Sequence, residues 1–175
     1  GKVSAEETFD LEATVSVPFE YADSYAKITK WYKMGIRDDN QGPSYLKYDA
    51  TKAYIPTPGT YDNADKLNFA WAFIGDPFTG FEIVNNAAGE TMVLSAPSAP
   101  TANQNAAELA RMVTKNDATG NTSWVFKNTT HNNAKAGAFY IEHPTAATYA
   151  FNRQNYNSES TLCYWNKRDM GSSIW

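Results

Sequence analysis

A Trp-x-Phe pair that occurs twice at long spacing limits the folds open to this chain more than any other feature. Trp71-Ala72-Phe73 and Trp124-Val125-Phe126 lie 53 residues apart, and Trp175 follows 51 residues later. Each pair is followed by a polar turn and then by a glycine-led aromatic run, at residues 80–83 and 137–141. Self-similarity at a period near 50 residues is typical of repeat architectures. The spacing therefore predicts three structural units.

Four short strands are predicted in each unit, because the chain consists of short alternating runs bounded by Gly, Pro, Asn and Asp. The first unit opens with the strand Trp31–Met34. The second strands of the three units lie at residues 45–48, 92–95 and 149–152, and the third strands at 53–55, 109–113 and 162–164. The three units span about 31–74, 80–127 and 137–175. One such unit cannot bury its apolar face alone, whereas three around an axis share a core. This arrangement predicts an all-β fold, a β-trefoil with six barrel strands and three capping hairpins.

Two segments fit this pattern less well. Residues 1–30 form an N-terminal extension that is predicted to be a linker or an edge strand. Thr101–Thr114 has weak helical periodicity and could equally end as a short strand. The Trp-x-Phe pairs, by contrast, follow the strand pattern closely. Because side chains alternate along a strand, both rings of a pair share one face, and we expect these rings in the core.

Charge and composition narrow the function classes. Lys and Arg total 15 against 19 Asp and Glu, and without a basic run the chain offers no surface for nucleic acid. Apolar stretches such as residues 69–74 are far shorter than the ~20 residues of a membrane span, so no membrane insertion is expected. The single cysteine, Cys163, lies in a strand-like run and is predicted to be a buried, inert thiol. We expect a monomer.

Sequence signals for catalysis and for metal binding are weak. His131 and His143 are twelve residues apart in unrelated loops, and residues 38–42 lack the ligand alternation of a calcium loop. The acidic pairs lie in turn-like contexts, which favours solvated carboxylates over the paired acids of a glycosidase. The prediction is a non-catalytic chain without a cofactor or metal.

Residues 71–89, WAFIGDPFTGFEIVNNAAG, resemble a signature of β-trefoil modules in large secreted proteins of gut-type bacteria. Residues 45–48 and 162–165 are similar to its flanking pieces, and the resemblance covers about residues 18–175. It implies a ricin-type-lectin-like architecture, a secreted or cell-surface location, and carbohydrate binding beside a glycan-processing enzyme such as a glycoside hydrolase. Ricin-type repeats carry Gln two residues before the Trp, and this chain has Phe69, Thr122 and Ser173 there. No sugar-site residue is therefore carried over by motif.

In trefoil lectins the sugar-binding groups come from the loops and the third strand of each repeat. The corresponding candidates here are Asp38, Asp39, Tyr54 and Asn63 in the first unit and Tyr156, Trp165 and Asn166 in the third. Trp165 is predicted to face outward if Leu162 and Tyr164 face inward. The alternatives to a carbohydrate-binding module are a protein-interaction module, such as a trefoil-type protease inhibitor or an adhesin, and a structural spacer.

Overall fold

A computed structural model describes residues 19–98, 109–167, 170–173 and 175. Within these residues the chain is all-β, as predicted, and its helical parts are short 3-10 turns at residues 25–27, 63–65, 115–117 and 170–172. The strands are β1 (Tyr21–Ala22), β2 (Trp71–Asp76), β3 (Gly80–Asn85), β4 (Met92–Ser95), β5 (Arg111–Thr114), β6 (Val125–Asn128), β7 (Phe139–Glu142), β8 (Tyr149–Tyr156) and β9 (Glu159–Asn166).

These strands form small sheets. β2 lies between β1, to which it is parallel, and β3, to which it is antiparallel. The other strands form the antiparallel pairs β4–β5, β6–β7 and β8–β9. The sheets of the described residues do not close into a barrel. The structure describes only part of the segment Thr101–Thr114, for which a helix or a short strand was predicted. Residues 101–108 lie outside the described residues, and Arg111–Thr114 forms the strand β5.

The predicted strands of the first unit are reduced to short contacts. Residues 34–36 pair with 44–46, and residues 45–47 with 56–58, through isolated bonds such as Leu46 N–H to Met34 O (3.0 Å) and Lys47 N–H to Pro56 O (3.0 Å). Pro43, Pro56 and Pro58 lie within or beside these segments. Proline has no N–H to donate, so long ladders cannot form there.

The three tryptophans on which the spacing argument rests have matching hydrogen-bond partners. Each exchanges two main-chain hydrogen bonds with an aromatic residue, in the pairs Trp71–Tyr32, Trp124–Phe81 and Trp175–Phe139, at 2.7–3.1 Å. Each indole Nε1 donates to a backbone carbonyl, which belongs to Leu46 (3.0 Å), Leu94 (3.3 Å) and Phe151 (3.0 Å) respectively. None of the three tryptophans is more than 4% exposed. The indole N–H that burial would leave unpaired is satisfied in each case.

One aromatic core joins the sheets. Trp71, Phe73, Trp124 and Phe126 are all buried in it, which confirms that the Trp-x-Phe rings are core residues. Phe19, from the predicted N-terminal extension, contacts the rings of four residues with centroids 5.2–5.8 Å away; they are Tyr32, Phe73, Phe126 and Phe139. Cys163 is fully buried, which confirms the prediction for its thiol.

Candidate functional site

The end of the β8–β9 hairpin brings a predicted site residue, Tyr156, beside a residue that was not predicted, Glu159. Asn157 and Ser158 form its two-residue turn with φ angles of 49° and 64°, and positive φ at both central residues is what a type I′ hairpin turn requires. Tyr156 is paired with Glu159 at the last position of the ladder. Directly opposite residues have their Cβ atoms only about 5 Å apart. The turn therefore presents an aromatic ring beside a carboxylate.

A segment from the first unit lies against this hairpin. Thr57 N–H donates to Ser160 O (2.8 Å), and Leu162 N–H donates to Ile55 O (2.9 Å). This register places Tyr54 next to Tyr156, with ring centroids 5.8 Å apart and planes at 75°. Two of the predicted site residues, 102 positions apart in the chain, therefore form an edge-to-face pair in which both side chains are partly exposed.

The Glu159 carboxylate contacts Tyr54 and a lysine beside it. The Tyr54 hydroxyl donates to Glu159 Oε2 (2.5 Å), and the Lys52 ammonium forms an ion pair with Glu159 Oε1. Lys52 Nζ also lies 5.6 Å from the centre of the Tyr54 ring. The Lys52 and Glu159 side chains are 30% and 32% exposed, so a ligand can reach both. We call Lys52, Tyr54, Tyr156 and Glu159 the Tyr54–Tyr156 site.

The hydrogen bonds of this site shift the pKa values of its side chains. The bonds from Lys52 and then Tyr54 lower the pKa of Glu159 below its usual value, since they stabilise the carboxylate. The same contacts raise the pKa of Lys52 and of the Tyr54 hydroxyl. At neutral pH the site thus holds a carboxylate, an ammonium and a neutral phenol. These groups can accept from and donate to ligand hydroxyls while the two rings supply apolar contact.

Asp38 and Asp39 have separate environments. Asp38 is 2% exposed; its Oδ1 accepts from Asn40 N–H (2.7 Å), and its Oδ2 contacts His131 Nε2. Asp39 is exposed, and its N–H donates to Asn133 O (2.8 Å). The Asp38 carboxylate therefore joins two loops of the protein and is not presented at the surface.

Asn63 lies in the 3-10 turn at residues 63–65, whose first N–H groups are capped by Asp62 through a bond to Ala64 N–H (2.9 Å). Its side chain is exposed. Its carbonyl accepts from Lys66 N–H (3.3 Å). These contacts hold the turn and give Asn63 no bond to the Tyr54–Tyr156 site.

Trp165 and Asn166 lie at the other end of the β8–β9 hairpin, opposite Ala150 and Tyr149. Six residues of strand separate Trp165 from Glu159, which is about 20 Å at ~3.3 Å per residue. Trp165 is partly exposed, as is Asn166, whereas Leu162 and Tyr164 are fully buried. Alternation alone does not account for this, because Cys163 lies on the same face of the strand as Trp165 and is also fully buried. The predicted third-unit residues therefore belong to two separate places.

A buried carboxylate lies near that second end. Glu142 is 1% exposed and is paired with Lys167, with Nζ 2.7 Å from Oε1. Burial raises the pKa of Glu142, although the Lys167 ammonium opposes the shift. Lys167 Nζ also lies 5.2 Å from the centre of the Tyr140 ring. This pair links the end of β7 to the residue that follows β9.

No protein-family model matches the sequence, and no curated protein matches it significantly. Within the described ranges, no group of three or more His, Cys, Asp or Glu side chains could hold a metal ion. The same ranges include no helix long and apolar enough to cross a membrane.

Proposed function

We propose that this chain is a non-catalytic carbohydrate-binding module with a β-trefoil fold, and that it belongs to a secreted or cell-surface glycan-processing protein. The trefoil is supported by the three matched tryptophans. Five antiparallel contacts follow one another around the core; they are Tyr32–Trp71, β2–β3, Phe81–Trp124, β6–β7 and Phe139–Trp175. A six-stranded barrel needs one more, between residues 32–36 and Trp175. A cavity of about 230 Å³ is lined by Met34, Gly35 and Trp175 at this seam.

Carbohydrate binding is supported above all by the Tyr54–Tyr156 site. Sugar rings have apolar C–H faces that pack on aromatic side chains and hydroxyl groups that bond to charged or polar groups. The two tyrosines and the Lys52–Glu159 pair supply both kinds of contact on a partly exposed surface. A module of this type would hold a polysaccharide near a linked catalytic domain and raise its effective concentration there.

The test is a glycan array with the wild-type chain, followed by titration calorimetry of the best ligand against variants. Tyr156→Ala removes one ring contact of about 0.5–1.5 kcal/mol, so we expect binding to weaken about two- to twelvefold. Phe78→Ala is the matched control, because Phe78 is an exposed aromatic residue (56%) in the β2–β3 turn. Affinity for the array ligand should be unchanged in that variant.

Two results would contradict the proposal. One is a wild-type chain that binds none of the glycans on the array. The other is a glycan ligand whose affinity is the same for the wild type and for Tyr156→Ala. Inhibition of a protease panel by a chain that binds no glycan would favour a trefoil-type protease inhibitor.

A further inference from the structure

We propose that a second site, selective for acidic saccharides, lies in the surface groove between Trp31, Lys33 and Tyr61. This groove has a volume of about 160 Å³, and it is also lined by Lys66 and Phe69. It is smaller than the ~300–1,000 Å³ typical of enclosed ligand pockets. The groove therefore suits one ring of an oligosaccharide resting on the surface. We call it the Lys33 groove.

Lys33 is held between aromatic rings in this groove. Its Nζ lies 4.3 Å from the centre of the Tyr61 ring and 5.1 Å from that of Tyr45. Tyr61 in turn packs edge-to-face on Phe69, with centroids 5.0 Å apart. Met34 is buried beside Lys33 in the chain, so alternation directs the lysine outward. The ammonium is positioned by cation–π contacts at the surface, where a ligand can reach it.

The two lysines of the groove, Lys33 and Lys66, form no ion pair with a carboxylate in the part of the chain that the structure describes. The acidic side chains of the adjoining turn have partners of their own: Asp62 accepts from Ala64 N–H (2.9 Å), and Asp65 is paired with Lys47 (2.7 Å). The two lysines are thus available to an anionic ligand although the whole chain carries a net charge of -4.

The combination favours a saccharide with a carboxylate or sulfate group. Tyr61 is 37% exposed and Trp31 is partly exposed, so both can pack on the C–H face of a sugar ring. A neutral sugar would use the rings but not the ammonium groups, whereas an acidic sugar uses both. The inference rests on the proposed function in that the ligand is a saccharide, but it uses no residue of the Tyr54–Tyr156 site.

The experiment measures binding of paired ligands by tryptophan fluorescence and calorimetry. The acidic probes are tri-galacturonate, sialyllactose and a chondroitin sulfate disaccharide; the neutral counterparts are methyl-esterified tri-galacturonate, lactose and the unsulfated disaccharide. At least one acidic probe should bind about tenfold more tightly than its counterpart, and the preference should shrink as salt is raised. Trp31→Phe should remove the fluorescence change on binding.

Variants assign the preference to the groove. Lys33→Gln should reduce the preference for the acidic probe at least about fivefold. Lys135→Gln, which removes an exposed lysine with the same change in net charge, should leave it intact. Thermal denaturation of each variant checks that it is folded.

Several outcomes would overturn the inference. They are equal binding of every acidic probe and its counterpart, a preference that survives Lys33→Gln, and Lys33-dependent binding of tetra-glutamate as tight as that of the acidic saccharide. Binding of neutral glycans that depends on Tyr156 would still support the proposed function in all three cases.

Discussion

Replacing each of the three matched tryptophans by phenylalanine tests the arrangement most directly. Trp71→Phe, Trp124→Phe and Trp175→Phe each remove one indole N–H from a buried backbone carbonyl. Loss of a buried hydrogen bond costs about 1–3 kcal/mol, and the gap left by the smaller ring adds about 1 kcal/mol. We therefore expect each change to lower the free energy of unfolding by about 2–4 kcal/mol. Matching surroundings predict that the three costs are similar.

The assay is urea denaturation of the wild type and the three variants, supported by thermal denaturation. For a chain of this size each kcal/mol shifts the Tm by about 2–4 °C, so each variant should melt about 4–16 °C lower. Trp165→Phe is the control: Trp165 is partly exposed and lies outside the core, and its replacement should cost less than about 1 kcal/mol. A spread of more than about 2 kcal/mol among the three core variants would refute the reasoning.

Three further predictions concern single sites. Gly80→Ala should lower the Tm more than Gly89→Ala, since both have positive φ but only at Gly80 would the new methyl overlap Ser123 Oγ; equal losses would contradict this. Because burial raises the pKa of Glu142, its ionisation opposes folding as pH rises above 4.5, and the Tm of Glu142→Gln should increase relative to wild type between pH 4 and 7. A constant difference would argue against it. Cys163 should react with a thiol reagent only after unfolding, and fast labelling of the native chain would show that its strand opens.

The core was predictable from sequence because its signal is local. Two large rings at a spacing of two residues, as in Trp71 and Phe73, share one face of any strand they occupy. Such a face has to be buried whatever the remaining topology. The ladder lengths of the first unit were less predictable, because Pro56 and its neighbours allow single contacts where a strand pattern indicates a ladder.

The candidate site was predictable only in part, because it depends on contacts between distant segments. Tyr54 and Tyr156 each have the character of a ligand-binding residue, but their pairing depends on the register between residues 53–57 and β9. Glu159 could have been found, since a two-residue turn at Asn157 and Ser158 places it opposite Tyr156. Nothing in the local sequence indicates that Asp38 is buried, because its partner His131 lies 93 residues away.

The position of Phe19 has a consequence for how this domain could be exchanged between proteins. Its ring packs against those of Tyr32, Phe73, Phe126 and Phe139, which come from all three predicted units. A graft that begins at residue 31, where the first predicted unit starts, would lack the Phe19 ring and would expose these four rings to solvent. The smallest transferable unit therefore includes Phe19 and the strand that follows it.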